Sequence, residues 1–413
     1  MMEELKVRKS GGAVILMKNV NVKYLAGGEI TNVKPLPPYS DEACEFLADL
    51  SKRLQKDRRA SQYPDVISFA FFCRKANIAK LKSEFEDGRV RLGRGIVFHI
   101  APSNVPVNSA FTYVFGLLAG NANIVRVSSK EFEQVKVICN VMQEMFDSGN
   151  YERVREMTAF VSYGRDTEIN DEFSKMADVR IIWGGDRTIS EIRKSPISSK
   201  CTEITFADRY SFGVFDAEEI CSSSDEEIRK LAEKFYNDTY LMDQNACSTP
   251  HLIFWKSNAE ELNLKAKSKF WAAVHKSAQK YDLADIKVSD KYVMLCEYAC
   301  ELDGIQHVEK YDNLLYTITL EKLPEDITAL RGKFGLFFQY DIENIEEIAK
   351  YITNKVQTCI YIGVKKEELQ RLIQEKSLIG IDRIVPVGAS LDIGVIWDGY
   401  DIIGQMSRII SAV

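Results

Sequence analysis

The chain has 413 residues, 28% of them charged, and a formal net charge of −6. That length suits two domains, or two with an appendage, each with its own core. With no basic field and with Lys and Arg scattered along the chain, nucleic acid is excluded as an expected partner.

No apolar run reaches membrane-spanning length, and MMEELKVRKS lacks an apolar leader core, so no membrane span and a cytoplasmic location are expected. The nine cysteines (44, 73, 139, 201, 221, 247, 296, 300, 359) show no paired spacing and read as reduced thiols. The four histidines (99, 251, 275, 307) lie at no ligand spacing from a Cys pair, so no metal site is expected.

In chain order, SDEACEFLADLSKRLQ (40–55) predicts a helix with acid in its first turn. Short apolar runs follow, GIVFHIAP (95–102), NIVRVSS (123–129), AFVSYG (159–164) and VRIIWGG (179–185), spaced as strands of a parallel, doubly wound sheet. In CSSSDEEIRKLAEKFYNDT (221–239), Ser223 with Glu226 suggests a capping box on a helix that leads into QNACSTP. The strands HLIFW (251–255), LLYTITLE (314–321), GLFFQYDI (335–342) and CIYIGV (359–364) then alternate with helices around 257–281, 343–352 and 365–376. This predicts a second α/β domain, with a boundary near residue 216.

Four segments carry chemistry. In APSNVPVNS (101–109) two prolines fix the backbone around Asn104, which either donates to a developing oxyanion or closes an Asx-turn. GLLAGNANIVRVSSK (116–130) leads into a strand ending at Arg126, Ser128 and Ser129, suited to a dinucleotide's ribose or phosphate unless it is an ordinary turn. IIWGGDRTISEIRK (181–194) runs from strand through Gly184 and Gly185 to a helix, and glycines there let backbone approach a pyrophosphate, although the segment is not GxGxxG. QNACSTPH (244–251) sets Cys247 among small and polar residues, either as a nucleophile or as a small buried hydrophobe.

Read in order, P-x-N-x-P, A-G-N before a strand ending in a basic residue, strand-Gly-Gly-helix, a Glu, and Q-x-x-C resemble the aldehyde dehydrogenase superfamily. FHIAPSNVPVNS, FGLLAGNANIVRVSSK, DQNACSTP and IGIDRIVPVG…LDIGVIWDGYDII are more closely similar to the LuxC-type acyl-CoA reductase family, typified by the fatty-acid reductase of bacterial luminescence. The resemblance runs from about residue 90 to the C-terminus and is weak through 257–330. It implies an α/β, aldehyde dehydrogenase-like fold of two doubly wound, Rossmann-like domains. Residues 1–216 would hold the nucleotide and 217–378 the nucleophile, with 379–413 a C-terminal oligomerisation and closing segment returning to the cofactor domain or a subunit interface.

The same resemblance implies that Cys247 attacks the carbonyl of an acyl-CoA or acyl-carrier thioester, that Asn104 stabilises the oxyanion, and that hydride then converts the acyl-enzyme to an aldehyde. Ser103, Arg126, Ser128, Ser129, Gly184 and Gly185 would surround the cofactor, and Phe334 would bound the nicotinamide pocket. Ser129 stands where many NAD-preferring relatives carry a ribose-binding glutamate, and Lys130 adds charge, so NADPH is expected, with NADH as the alternative. Arg331 occupies the glutamate position of the ribose motif near Phe334 and reads either as a phosphate ligand or as a solvated surface residue.

Glu203 matches the general base of hydrolytic aldehyde dehydrogenases, but Thr205 and Phe206 replace the glycines that normally follow. If Glu203 activates water, the alternative reading is a hydrolytic NAD(P)-dependent aldehyde dehydrogenase. A third is a nucleotide-binding scaffold for an acyl-activating partner enzyme. His251 is a candidate partner for Cys247 only if it points toward the thiol. Trp397, Asp398 and Tyr400 belong to the C-terminal signature of the LuxC-type family, whose aromatics would either line the acyl tunnel or the active-site mouth or pack a subunit contact. A homo-oligomer is the expectation by analogy.

Overall fold

The computed structural model describes residues 22–30, 33–164 and 166–412. The stretch read above for a leader lies outside them. Two compact units divide the chain, Met1–Ala207 with Tyr400–Val413, and Asp208–Gly399.

Up to Ala207 the described residues of the first unit form the strands β1 (Lys23–Gly27), β2 (Arg91–Gly93), β3 (Ile96–Ile100), β4 (Ala122–Arg126), β5 (Thr158–Ser162), β6 (Val179–Trp183) and β7 (Thr202–Phe206). Six of them form one sheet in the order β1-β5-β4-β3-β6-β7. Every pair is parallel except β1 with β5. β3 and β6 are buried along their whole length, which is why they read as continuous apolar runs rather than alternating ones. His99 within β3 is tolerated because Thr112 Oγ1 (2.8 Å) and Asn123 Oδ1 (3.0 Å) meet its two ring nitrogens; burial pushes its pKa down to about 4. The chain passes from β3 outward to β4 and β5 and returns beside β3 as β6, so the strand order reverses between β3 and β6.

The second unit has β8 (Tyr210–Asp216), β9 (Pro250–Lys256), β10 (Ile305–Tyr311), β11 (Leu315–Leu320), β12 (Leu336–Ile342), β13 (Val356–Ile362) and β14 (Arg383–Pro386). Their order is β10-β11-β12-β9-β8-β13-β14, and only β10 runs antiparallel to its neighbour. A core of Phe212, Phe254, Ile318, Phe338 and Cys359 packs one face. Phe215, Phe235, Trp255, Phe270 and Trp271 pack the other.

The division falls at Ala207/Asp208 rather than near 216. Residues 210–216 form β8, in the middle of the second sheet, where β9 and β13 flank it. Only the last 14 residues return to the first unit, rather than all of 379–413, and Ser407–Ile409 pairs antiparallel with β2 there. Asn121 Nδ2 anchors this return on the Met406 carbonyl at 3.0 Å.

The helix expected at 40–55 is Asp41–Lys56. The capping box sits one residue later than the sequence suggested, as Ser224 with Glu227, because Ser223 still belongs to the end of the preceding helix and its Oγ donates to the Glu219 carbonyl at 2.7 Å. The expected helix at 343–352 is a 3-10 helix, Ile345–Tyr351, capped by Asn344 and Glu347.

Candidate active site

In the first unit the reversal between β3 and β6 is where doubly wound sheets open a crevice at the carboxyl ends of their strands. Ile100 pairs with Ile182 across it. The segments that follow, Ala101–Asn104 from β3 and Gly184–Gly185 from β6, therefore leave the sheet side by side. Ser103 and Asn104 are exposed. A Cβ on Gly184 would meet Thr188 at 3.0 Å, whereas one on Gly185 would meet nothing within 4 Å, so backbone at Gly185 is open to a close-lying ligand.

The end of β4 supplies the next set. Ser128, Ser129 and Lys130 line a cavity of about 390 Å³, together with Pro102, Lys23 and Lys136. Arg126, by contrast, is already engaged: its guanidinium lies 4.6 Å from the Tyr163 ring centre and donates to Asn170 Oδ1 and the Gly164 carbonyl, both at 3.3 Å. The cavity thus gathers the two serines and Lys130 but not Arg126.

Glu203, on β7, has both carboxylate oxygens occupied. Arg180 Nε donates to Oε2 at 2.8 Å and Arg193 Nε to Oε1 at 2.7 Å. Arg180 is buried in β6 and also donates to Ser174 Oγ and to the carbonyls of Ile192 and Ser195. Burial raises the pKa of Glu203, and hydrogen bonds from Arg193 and Arg180 outweigh that and leave it below the ordinary carboxylate value. A general base working near neutral pH needs the opposite shift. Here sequence reasoning missed a legible signal: an arginine inside the apolar run VRIIW must find an acid, and Glu203 lies directly opposite it in the neighbouring strand.

Removing that acid strands Arg180. Glu203→Ala is expected to cost about 3 kcal/mol, the scale of breaking a buried ion pair by deleting one partner, read as a shift in a urea unfolding curve. Because the folded pKa of Glu203 lies below its unfolded value, its contribution is present at neutral pH and fades as acid titrates the carboxylate.

In the second unit the helix Asp225–Thr239 runs into a 3-10 turn, Tyr240–Met242, and then into Asp243 and Gln244, consecutive left-handed residues with φ of +53° and +59°. Cys247 follows at the amino end of β9 and is half-buried. Ser211 Oγ donates to its carbonyl at 2.7 Å, fixing the backbone while leaving the side chain free of that tie. Burial pushes the thiol pKa up, a backbone N–H from Arg209 draws it down, and Asp398 and Asp208 oppose Arg331 around it.

Gln244, the Gln of Q-x-x-C, to which the sequence reading gave no role, anchors this loop. Its Oε1 accepts from the Gly335 N–H (2.6 Å) and the Leu336 N–H (3.2 Å), and its Nε2 donates to the Leu336 carbonyl (3.0 Å). Phe334 precedes that contact with a φ of +56°. His251 is buried, stacks on Tyr210, and accepts the Gly332 N–H on Nδ1 at 3.2 Å, with burial pushing its pKa down to about 3. It is therefore a core residue rather than a base for the thiol.

Arg331 is neither a free phosphate ligand nor a solvated surface residue. It pairs with Asp208 at 2.9 Å and donates to the Arg209 carbonyl at 3.0 Å. Trp397 lies under the Arg383 guanidinium, Asp398 accepts from Gln357, and Tyr400 packs edge-on to Phe206. Among the described residues no group of three or more His, Cys, Asp or Glu could hold a metal ion, and no helix is long and apolar enough to cross a membrane.

Two parallel, doubly wound units, a glycine turn at a strand-order reversal and a cysteine loop at a strand start together define an aldehyde dehydrogenase-type fold. The chain is similar to the NAD-dependent benzaldehyde dehydrogenase of Corynebacterium glutamicum (TM-score 0.59, 13% identity, 91% of this chain and 85% of that one covered). It is similar also to a 1-pyrroline-5-carboxylate dehydrogenase variant of Thermus thermophilus (TM-score 0.62, 14% identity, 92% and 82% covered). Within that fold, the model of the acyl-CoA reductase (LuxC) family matches residues 21–409, and the chain belongs to this family. The long-chain acyl-protein thioester reductase of Vibrio harveyi is 23% identical over 301 residues, 71% of this chain. The match spans 59% of that relative's length.

Proposed function

We propose that the protein reduces an acyl thioester to an aldehyde through an acyl-enzyme on Cys247. The Cys247 thiolate attacks the thioester carbonyl, Asn104 and the Cys247 backbone N–H donate to the oxyanion, and the carrier thiol leaves as the carbonyl re-forms. A bound reduced nicotinamide supplies the hydride that reduces the acyl-enzyme. The resulting thiohemiacetal collapses, returning the thiol to Cys247 and releasing aldehyde.

Ser128, Ser129 and Lys130 would hold the adenosine end of the cofactor, with Gly184 and Gly185 along its pyrophosphate and Ser103 beside them; Arg126 would steady this wall through Tyr163 and Asn170. Phe334 would bound the nicotinamide. Lys130 with Lys23 favours the 2′-phosphate of NADPH over NADH, while Lys136 in the same lining is already paired with Glu131 and Glu133.

The observation that carries the reductive reading is the double ion pair on Glu203. A carboxylate held by two arginines below its ordinary pKa is poorly suited to activate water, and an acyl-enzyme that is not hydrolysed survives to be reduced. We assign Glu203 to holding Arg180 rather than to catalysis. The test offers acyl-CoA thioesters of increasing chain length with NADPH and then NADH, and identifies the product. Aldehyde with faster NADPH turnover is expected. Acid formed from aldehyde and NADP+, without thioester reduction, would replace this reading by the hydrolytic one.

A further inference from the structure

Lys291, on the helix Asp285–Glu301, is fully buried. Its Nζ donates to the carbonyls of Asn313 (2.6 Å) and Phe334 (2.7 Å) and lies 4.6 Å from the Tyr316 ring centre. Burying an ammonium is costly unless every donor finds a partner, and these three contacts meet that condition while fixing the Phe334 carbonyl. Burial lowers the Lys291 pKa to about 8, with Asp312 opposing the shift.

From Phe334 the chain of contacts leads to the cysteine loop. The next two backbone N–H groups, of Gly335 and Leu336, are both accepted by Gln244 Oε1. Gln244 stands three residues before Cys247. A second tie comes from the same helix: Lys287 Nζ donates to Asp243 Oδ1 at 2.9 Å, and the Tyr281 hydroxyl donates to that oxygen too. Left-handed non-glycine residues such as Asp243 and Gln244 persist only where their surroundings over-determine them.

We infer that Lys291 is a positioning residue for the nucleophile loop, holding Cys247 in place through the Phe334 turn and Gln244, with Lys287 securing the adjacent Asp243. The inference rests on the reading of Cys247 as the nucleophile. The helix Asp285–Glu301 thereby becomes part of the machinery that presents the thiol, although none of its residues would touch the reacting atoms.

The test compares the full-length wild type with Lys291→Met in two reactions read by mass spectrometry, acyl transfer from dodecanoyl-CoA to Cys247 and alkylation of each cysteine by iodoacetamide. A loosened loop should slow acyl transfer about 10-fold, since small misplacements of a reacting group are costly. Local opening should speed alkylation of Cys247 by about 3-fold or more while buried Cys359 in the same unit stays protected. Lys287→Met, at a side chain 28% exposed, should act in the same direction and serves if Lys291→Met does not fold. Cys247 alkylation within about 2-fold of wild type in a folded variant, or Cys359 labelled in step with Cys247, overturns the positioning role. Failure of wild-type Cys247 to accept the dodecanoyl group would instead reject the thioester reading, and the alkylation comparison would still decide the role of Lys291.

Discussion

Cys247→Ala is expected to abolish aldehyde formation, lowering turnover by about 10⁴-fold or more, the scale seen when an enzyme loses its covalent nucleophile. Without the thiol no acyl-enzyme forms, and hydride has only the unactivated thioester to attack. The fold should survive. The group of Cys247 that anchors the loop is its carbonyl, held by Ser211 Oγ, and the shape of the turn is held by Gln244. Loss of one half-buried sulfur should cost no more than about 1 kcal/mol. Cofactor oxidation at 340 nm and the mass of the acylated protein check the result together, and sustained turnover by the alanine variant would remove the covalent mechanism. In the wild type, because burial holds the thiol pKa above its ordinary value, acylation should accelerate with rising pH as the thiolate fraction grows.

Asn104→Ala carries the second largest expected effect. Loss of one oxyanion donor typically slows turnover by about 100- to 1,000-fold, and NADPH affinity, read by fluorescence titration, should change little. Asn104 is exposed on the loop after β3, so the truncation removes no buried packing and the unfolding midpoint should hold. Collapse of NADPH affinity with turnover preserved would make Asn104 a cofactor residue instead.

Some of this was readable from residue order alone. Continuous apolar runs such as IVFHI and VRIIW announced strands buried on both faces, because a parallel strand covered by helices has no solvent side to require alternation. The segments around Asn104, Gly184 and Cys247 stood out because proline, glycine and an isolated cysteine constrain backbone and chemistry locally. The family followed from those motifs in sequence. The helix Asp285–Glu301 went unread, in a stretch where the resemblance is weak.

What the sequence by itself determined is therefore the alternation of elements and the two-unit α/β class, both of which depend on neighbours a few residues apart. Only the tertiary structure decided the partners. Glu203 became an ion-pair residue because strand pairing sets it against Arg180. His251 became a core residue because its ring stacks on Tyr210 and accepts the Gly332 N–H. Arg331 found Asp208, and Lys291 found Phe334. Each contact joins residues far apart in the chain, and whether a polar side chain is a base, a ligand or a clamp depends on which groups burial leaves within hydrogen-bond reach.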